Sequence, residues 1–538
     1  MNVLSIKASD IENWTNREPR RAQELLPKLL WKLILASSNN IEDHHFPFEN
    51  AVQYNGYDGF IKTTDNNPFY PNGISVWEFG TDEDIKGKFN KDFNKRSQNP
   101  NNIDPKQATF CFVTSRIWNH REGIAEFTIK KQKEGIWKNV RIIDANNLEM
   151  WLDQCPSVSV WFSKIIGKDA YDLIDLATYW DNIVSKTNPQ LTVEFFRIGR
   201  EKLITEEIMN LIEKNEKLII LSTDSKIEGI LTIAAELLEN QDIKYKQLLS
   251  KIIVALSSEA LNNACQNFND SIIIPAFKNE KDQINIQGTI IIPTEKNGPI
   301  DLLYKNSARC HLPSRRHRDF SASLESIGFN ANEADKMTYD VKCRFSPLLQ
   351  KLTSDVNLKM PYWFQQNNDK ILVPALLANA WDSNYNGDKE AIELLSGKSS
   401  DEYIESLQDF TIGDSAPIFN LDNSYACISV NELWDILLQS ITGNNFKRYK
   451  ECVKMVFSEK DPVYELPEEK RPFASLYEKQ SRFSSRLKKG LILSMTKIVE
   501  FGEDDKTSGF CSNSVNECNA LVTEIFGKLN SRQDWFTI

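Results

Sequence analysis

The sequence contains few histidines and no paired cysteines. Of its five histidines, only His44 and His45 are clustered, so histidine-rich metal chemistry is not expected. None of the nine cysteines forms a CxxC pair. Scattered thiols of this kind are typical of a reducing cytoplasm, whereas a disulfide framework or a zinc knuckle would need regular spacing.

Long hydrophobic runs are also missing. No apolar stretch reaches the roughly 18 residues needed for a membrane span, and the start, MNVLSIKASDIENW, lacks the apolar core of a secretory signal. We therefore expect a cytoplasmic protein with no membrane contact. The net charge of −11 provides no long-range attraction to nucleic acid, so any such contact would depend on local basic patches.

The chain is long enough for several domains. Its 538 residues correspond to about two to four domains. We predict an α/β multidomain protein with an N-terminal α/β unit at residues 1–168 and a central α/β domain at 191–345. A mainly helical region at 346–538 would serve regulation, a protein partner or homo-oligomer formation.

Apolar runs predict the elements of the first two domains. The N-terminal helices are expected over residues 19–36, 82–96 and 146–153, and the strands over 59–63, 74–79, 108–114 and 140–144. In the central domain, continuous apolar strands predict a parallel sheet covered on both faces; they are expected over residues 218–222, 251–256, 271–275 and 288–293. Helices are predicted over residues 227–238 and, in the C-terminal region, within 478–498.

Two carboxylates mark the predicted hairpin. Asp58 precedes the first strand in GYDGF, and Glu78 lies near the end of the second in SVWEFG. Each is ten residues from residue 68, so symmetric antiparallel pairing would place them opposite each other, with Cβ atoms roughly 5 Å apart. Two carboxylates this close repel unless a cation lies between them. A hard ion with oxygen ligands, Mg²⁺ or Mn²⁺, would resolve that conflict.

The order of these features resembles the core of the PD-(D/E)XK, or restriction-endonuclease-like, family. The resemblance covers roughly residues 10–165 and comprises a helix, Asp58, a hairpin, Glu78, a helix, the strand FCFVT and the run VRIIDANNLEMWL. It implies a metal-dependent DNA nuclease with Asp58 and Glu78 as metal ligands. The family's catalytic lysine follows two residues after the strand acid, where this chain has Gly80.

The resemblance therefore requires a lysine from elsewhere. Lys88 in the following helix is the preferred candidate, and Lys86 is the next. The family's additional acidic or amide group from the first helix would correspond to Glu24 or Gln23. Basic side chains that could contact phosphate lie later in the unit, at Arg96, Lys106, Arg116, Arg121, Lys130, Lys131, Lys133 and Lys138.

The central domain resembles a degenerate STAND/AAA-type nucleotide-binding domain. Its strand and helix, LIILSTDSKIEGILTIAAEL, lack the GxxxxGK[ST] loop that binds phosphates, so no ATP hydrolysis is expected. Nuclease and STAND-like domains together resemble bacterial antiviral defence effectors, some of which are longer. Two alternatives remain open: a noncatalytic scaffold, favoured by Gly80, and a nucleic-acid-binding sensor whose catalytic partner is another chain.

Overall fold

Two compact units make up the chain in the computed structural model. The first contains residues 1–185 and 190–314, and the second contains residues 186–189 and 315–538. The structure describes residues 4–46, 56–200, 202–268, 270–277, 288–295, 307–359, 363, 368–412, 415–459, 461–477, 479, 481–502 and 513–527. The predicted α/β multidomain class is confirmed at this general level.

The N-terminal part of the first unit is a five-stranded sheet flanked by helices. Its helices are α1 Ala8–Arg17, α2 Pro19–Ser37, α3 Ile85–Gln98, α4 Ile124–Gln132, α5 Ala145–Gln154 and α6 Pro156–Ile166. Its strands are β1 Ile41–His45, β2 Gly59–Thr63, β3 Gly73–Gly80, β4 Ala108–Thr114 and β5 Asn139–Ile143. The predicted strands of this part are thus present, with ends that differ by no more than one residue.

The strands follow the order β1-β2-β3-β4-β5. The first three are antiparallel neighbours, and β3, β4 and β5 are parallel. Gly59 pairs with Trp77 and Thr63 pairs with Gly73. One further step along this register brings Asp58 opposite Glu78, as the symmetric hairpin predicts.

Successive side chains of β3 point to opposite faces of the sheet and pack into two different apolar cores. Trp77 and Phe79 pack into a cluster with Leu26 and Leu30 of α2. Val76, two residues before Glu78, packs on the other face, in a cluster with seven buried aromatic side chains. These are Phe89, Phe93, Phe110, Phe112, Trp118, Phe127 and Trp137. Since side chains two apart along a strand share a face, Glu78 lies on the face covered by α3.

Helix α3 begins later than the sequence predicts. Helical structure was expected from Asp82, with Thr81 or Asp82 as the cap, but the helix starts at Ile85. The Asp84 side chain accepts a 2.9 Å hydrogen bond from the backbone N–H of Gly87, which satisfies one of the free amides of the first turn. This cap fixes where the helix begins and hence which residues face the sheet.

A second, six-stranded sheet completes the first unit. Its strands are β6 Leu173–Asp175, β7 Leu218–Thr223, β8 Ile252–Ala255, β9 Ile272–Pro275, β10 Thr289–Glu295 and β11 Ala308–His311, in the order β11-β7-β10-β9-β8-β6. The helices are α7 Leu176–Val184, α8 Val193–Arg197, α9 Ile204–Glu213, α10 Lys226–Glu239, α11 Ile243–Leu249 and α12 Ser258–Asn267. All pairs are parallel except β6 with β8, as predicted for the core strands.

The second sheet begins before residue 191, the start predicted for the central domain. Strand β6 hydrogen-bonds to β8 and so brings residues 173–175 into this sheet. Residues 315–345, predicted in the same domain, instead belong to the second compact unit. Residues 186–189 also belong there, through a β-bridge between Thr187 and Thr353. Long-range pairing of this kind leaves no local signal in composition.

The connection from β7 to α10 is only two residues long. Ser225 accepts a hydrogen bond from the Glu228 backbone N–H and caps the helix. Gly229 packs closely, since a Cβ there would lie 3.1 Å from the Leu221 side chain. The GxxxxGK[ST] phosphate-binding loop has four residues between its two glycines, and its lysine follows the second glycine. The two-residue connection between β7 and α10 is too short to form such a loop.

The second unit is mainly helical. Its helices are α13 His317–Glu325, α14 Ala331–Val341, α15 Phe345–Leu352, α16 Val356–Lys359, α17 Asn368–Ala378, α18 Asn386–Ser396, α19 Ser400–Ser406, α20 Val430–Leu437, α21 Gly443–Ser458, α22 Ser485–Gly502 and α23 Ser514–Phe526. An antiparallel sheet in the order β12-β14-β13 was not predicted; its strands are β12 Ala380–Asp382, β13 Ile418–Leu421 and β14 Ser424–Cys427.

The helix predicted within 478–498 begins only at Ser485. Glu478 and Gln480 lie outside the described residues. The Ser484 hydroxyl accepts a 3.1 Å hydrogen bond from the Leu487 N–H and also bonds to the buried Asp388 carboxylate. Because this cap satisfies an amide of the first turn, the helix starts there. No helix in the described ranges is both long and apolar enough to cross a membrane.

Candidate active site

Asp58 and Glu78 each use one carboxylate oxygen within the protein. Asp58 is half-buried, and its Oδ2 accepts a 3.0 Å hydrogen bond from the Phe79 N–H. Glu78 is buried, and its Oε1 accepts a hydrogen bond from Arg96. Among the described residues, Asp58 Oδ1 and Glu78 Oε2 have no hydrogen-bond partner, yet neither atom is fully buried. Each carboxylate therefore keeps one oxygen available.

Burial and neighbouring charges disfavour the ionised forms of both acids. Burial, followed by the charge of Asp58, raises the pKa of Glu78 to about 8, against the opposing effect of Arg96. Burial also raises the pKa of Asp58, while the Phe79 N–H and Lys88 oppose this change. The protein's own cations therefore only partly offset the two carboxylates, and a further cation would favour their ionised forms.

Arg96 is a buried counter-ion rather than a surface contact for phosphate. Its side chain is 6% exposed. It donates one hydrogen bond to Glu78 and another to the Gly56 carbonyl. Its guanidinium also lies 4.9 Å from the centre of the Tyr57 ring, at the range of a cation–π contact. This placement corrects the expectation that Arg96 belongs to a DNA-contacting group.

Lys88 reaches the same place from α3. Its side chain passes beside Gly80, since a Cβ built on Gly80 would lie 3.0 Å from Lys88 Cγ and 2.6 Å from Phe112 Cζ. The Lys88 charge acts on Asp58, and Asp58 in turn helps to raise the pKa of Lys88. Gly80, the position on β3 where the resemblance would require a lysine, thus lies beside Lys88 of α3.

Lys86 lies two residues before Lys88 in α3, and its side chain has different partners. Its Nζ is 3.0 Å from the Glu122 carboxylate and lies over the rings of Trp118 and Phe127. Of the two candidate lysines, Lys88 is therefore the one whose charge acts on Asp58.

The two candidates from helix α2, Gln23 and Glu24, do not join Asp58 and Glu78. Gln23 is exposed, and Glu24 pairs with Arg20 at 3.1 Å on the outer part of α2. Helix α2 covers the face of β3 that carries Trp77, opposite to the face of Glu78. Neither residue therefore joins the site that the resemblance implied for it.

Asp92 is a further charged residue of the site, and sequence reasoning missed it. It is buried, and its Oδ2 lies 2.9 Å from Lys88 Nζ, although it accepts no well-aligned hydrogen bond. Its charge also helps to raise the pKa of Glu78. The buried positions of α3 are 85, 89, 92, 93 and 96. Charged residues at 92 and 96 of this otherwise aromatic stripe are a signal that could have identified both.

The two carboxylates fit a magnesium-type ion. Mg²⁺ keeps several waters and is usually held by one or two carboxylates together with substrate phosphates. One available oxygen on Asp58 and one on Glu78 supply that donor set. In the described part of the chain, no group of three or more His, Cys, Asp or Glu side chains is arranged to hold a metal ion. A site of the structural zinc type is therefore not formed there.

Comparison with protein-family models and with curated proteins gave no match for this chain. The functional argument therefore depends on the geometry of Asp58, Glu78 and Lys88.

The crowding at Gly80 leads to a stability prediction. Gly80→Ala adds a Cβ that would meet Phe112 and Lys88, so we expect the free energy of unfolding to fall by about 1–3 kcal/mol, as for other overpacked cores. Urea unfolding measures this change. Gly123→Ser is the matched control, because a Cβ at Gly123 meets no atom within 4 Å. Equal stability of the two variants would contradict the close packing of Gly80.

Proposed function

We propose that this chain is a metal-dependent endonuclease that cuts DNA phosphodiester bonds. The observation that carries the proposal is the alignment of Asp58 with Glu78, together with a lysine, Lys88, whose charge acts on Asp58. The β2–β3 register aligns the two acids, and α3 brings the lysine past Gly80. The strand order of the first sheet and the helix on the acidic face support the resemblance to the PD-(D/E)XK core.

In this proposal, Asp58 and Glu78 would hold the divalent ion, Mg²⁺ or Mn²⁺, through the carboxylate oxygen that each leaves without a hydrogen bond to the described residues. When bound, such an ion lowers the pKa of its water and stabilises charge on a phosphate. The Phe79 N–H and Arg96 fix the other oxygen of each carboxylate and so orient the pair. Lys88 stabilises the additional negative charge of the phosphate as it is attacked.

The biological setting follows from the resemblance to defence effectors. We propose a cytoplasmic enzyme regulated by the STAND-like sheet and by the helical second unit, with a protein partner or a second copy as the binding partner of that unit. The eight described cysteines form no disulfide, which agrees with a reducing compartment. DNA is the proposed substrate.

The direct test is cleavage of plasmid DNA by the full chain with Mg²⁺, with Mn²⁺ and with EDTA. We expect cleavage with either metal and none with EDTA. Asp58→Ala and Glu78→Ala should each lose cleavage by about 100-fold or more, because each removes half of the donor set.

Glu24→Gln is the control for these variants, since Glu24 pairs with Arg20 on the outer part of α2. It should cleave at the wild-type rate. Metal-independent cleavage, or equal rates for all variants, would refute the proposed enzyme.

One observation favours a noncatalytic scaffold as the second candidate. Glu78 already has a cation, Arg96, and this pairing offsets part of its charge without any metal. A scaffold predicts no cleavage by the wild type and no effect of Asp58→Ala. A sensor that works with a separate catalytic chain predicts salt-sensitive DNA binding instead, again without cleavage.

A further inference from the structure

Asp92 has an unusual position for an aspartate. It lies on the buried face of α3 between Phe89 and Phe93, and it is only 5% exposed. A buried carboxylate costs several kcal/mol unless a cation accompanies it. Lys88, one turn earlier on the same helix, provides that cation at 2.9 Å.

The ion pair with the buried Asp92 restrains the position of Lys88 more than an exposed ion pair restrains a surface lysine. The Lys88 side chain is 27% exposed, whereas the Asp92 side chain is 7% exposed, so the buried partner fixes the more exposed one. Because Asp92 is buried and has a short side chain borne by the helix, it has little freedom to follow the lysine. The lysine instead follows Asp92, and its stem passes over Gly80.

We infer that Asp92 is a positioning residue that holds the ammonium of Lys88, whose stem passes beside Gly80 at the end of the strand that carries Glu78. This inference rests on the proposed nuclease function. A lysine has a flexible four-carbon stem, so its backbone position alone does not fix where its ammonium lies. An ion pair with a buried carboxylate does fix it, and Asp92 provides that anchor 2.9 Å from Lys88 Nζ.

The test measures the placement of Lys88 separately from catalysis. Asp92→Asn keeps the shape of the side chain and removes its charge. Acylation of lysines by an amine-reactive ester, followed by mass spectrometry of peptides, reports how available each amine is. In Asp92→Asn we expect faster acylation of Lys88 than in the wild type, and no change at Lys86.

Glu122→Gln is the matched control, because Glu122 holds Lys86 at 3.0 Å. It should give the reverse pattern, with faster acylation of Lys86 and no change at Lys88. In plasmid cleavage, Asp92→Asn should lower kcat by about 10- to 100-fold, as for other residues that orient a catalytic group, with an unchanged KM. Glu122→Gln should retain the wild-type kcat, and Asp92→Glu should recover part of the loss.

Circular dichroism and thermal unfolding check that each variant is folded. Should Asp92→Asn unfold, Asp92→Ser, which is smaller and also uncharged, takes its place with the same expected results. Unchanged acylation of Lys88, or an unchanged kcat, in the folded uncharged variant overturns the inference. Absence of cleavage by the wild type would instead refute the proposed nuclease and the kinetic role of Asp92, while the acylation pattern would still show whether Asp92 holds Lys88.

Discussion

Lys88→Met is expected to slow DNA cleavage by about 10²–10³-fold, the usual loss when a preorganised group that stabilises transition-state charge is removed. Methionine keeps an unbranched stem beside Gly80 but has no ammonium. Lys86→Met should cleave at the wild-type rate, because Lys86 faces Glu122 and two aromatic rings. Single-turnover cleavage of plasmid DNA with Mg²⁺ measures both rates.

The pair of lysine variants is a sharp comparison because the two residues are separated by only one residue in sequence. Lys88→Arg serves as a folding control, since arginine keeps the positive charge beside the buried Asp92. If Lys86→Met were the slower enzyme, or if both methionine variants cleaved equally, Lys88 would lose its proposed role.

Arg96→Met should cause the largest loss of stability. It would leave Glu78 buried without its cation and would also remove the hydrogen bond to the Gly56 carbonyl and the contact with the Tyr57 ring. Removing one partner of a buried ion pair typically costs about 3–5 kcal/mol. Urea unfolding monitored by tryptophan fluorescence measures this loss in the unit that contains Arg96.

Two further variants separate the effect of leaving Glu78 buried without a cation from the general effect of replacing an arginine. Arg20→Met breaks an exposed pair, with the Arg20 side chain 92% exposed, and should cost no more than about 1 kcal/mol. The double variant Arg96→Met/Glu78→Gln removes both charges and should be more stable than Arg96→Met alone. Equal losses for Arg96→Met and Arg20→Met would show that Glu78 does not depend on Arg96.

The sequence-based predictions agreed well with the structure wherever local sequence patterns mark an element. Strands β2 and β4 have the predicted bounds, because turn residues and apolar runs define both ends. The equal spacing of Asp58 and Glu78 about residue 68 also predicted their alignment, because a hairpin register fixes which residues are opposite. The departure at Gly80 pointed toward a lysine from the next helix.

The parts that depend on long-range contacts were missed. Arg96 looked like one basic residue among many, yet its helix turns it toward Glu78, eighteen residues away. Glu24 matched the family pattern by its place on a helix, but α2 covers the opposite face of the sheet. Neither outcome follows from composition, because both depend on which side of β3 each helix packs.

The amino-acid sequence by itself determined the α/β class, the two acids of the hairpin and the choice of nearby lysines. Spacing of two and of 3.6 residues encodes these features locally. Only the tertiary structure decided that the charge of Lys88 rather than that of Lys86 acts on Asp58, that Asp92 pairs with Lys88, and that Arg96 pairs with Glu78. The physical reason is that a helix fixes the direction of its side chains only after its cap and its packing face are set, and the Asp84 cap and the aromatic cluster below α3 set both.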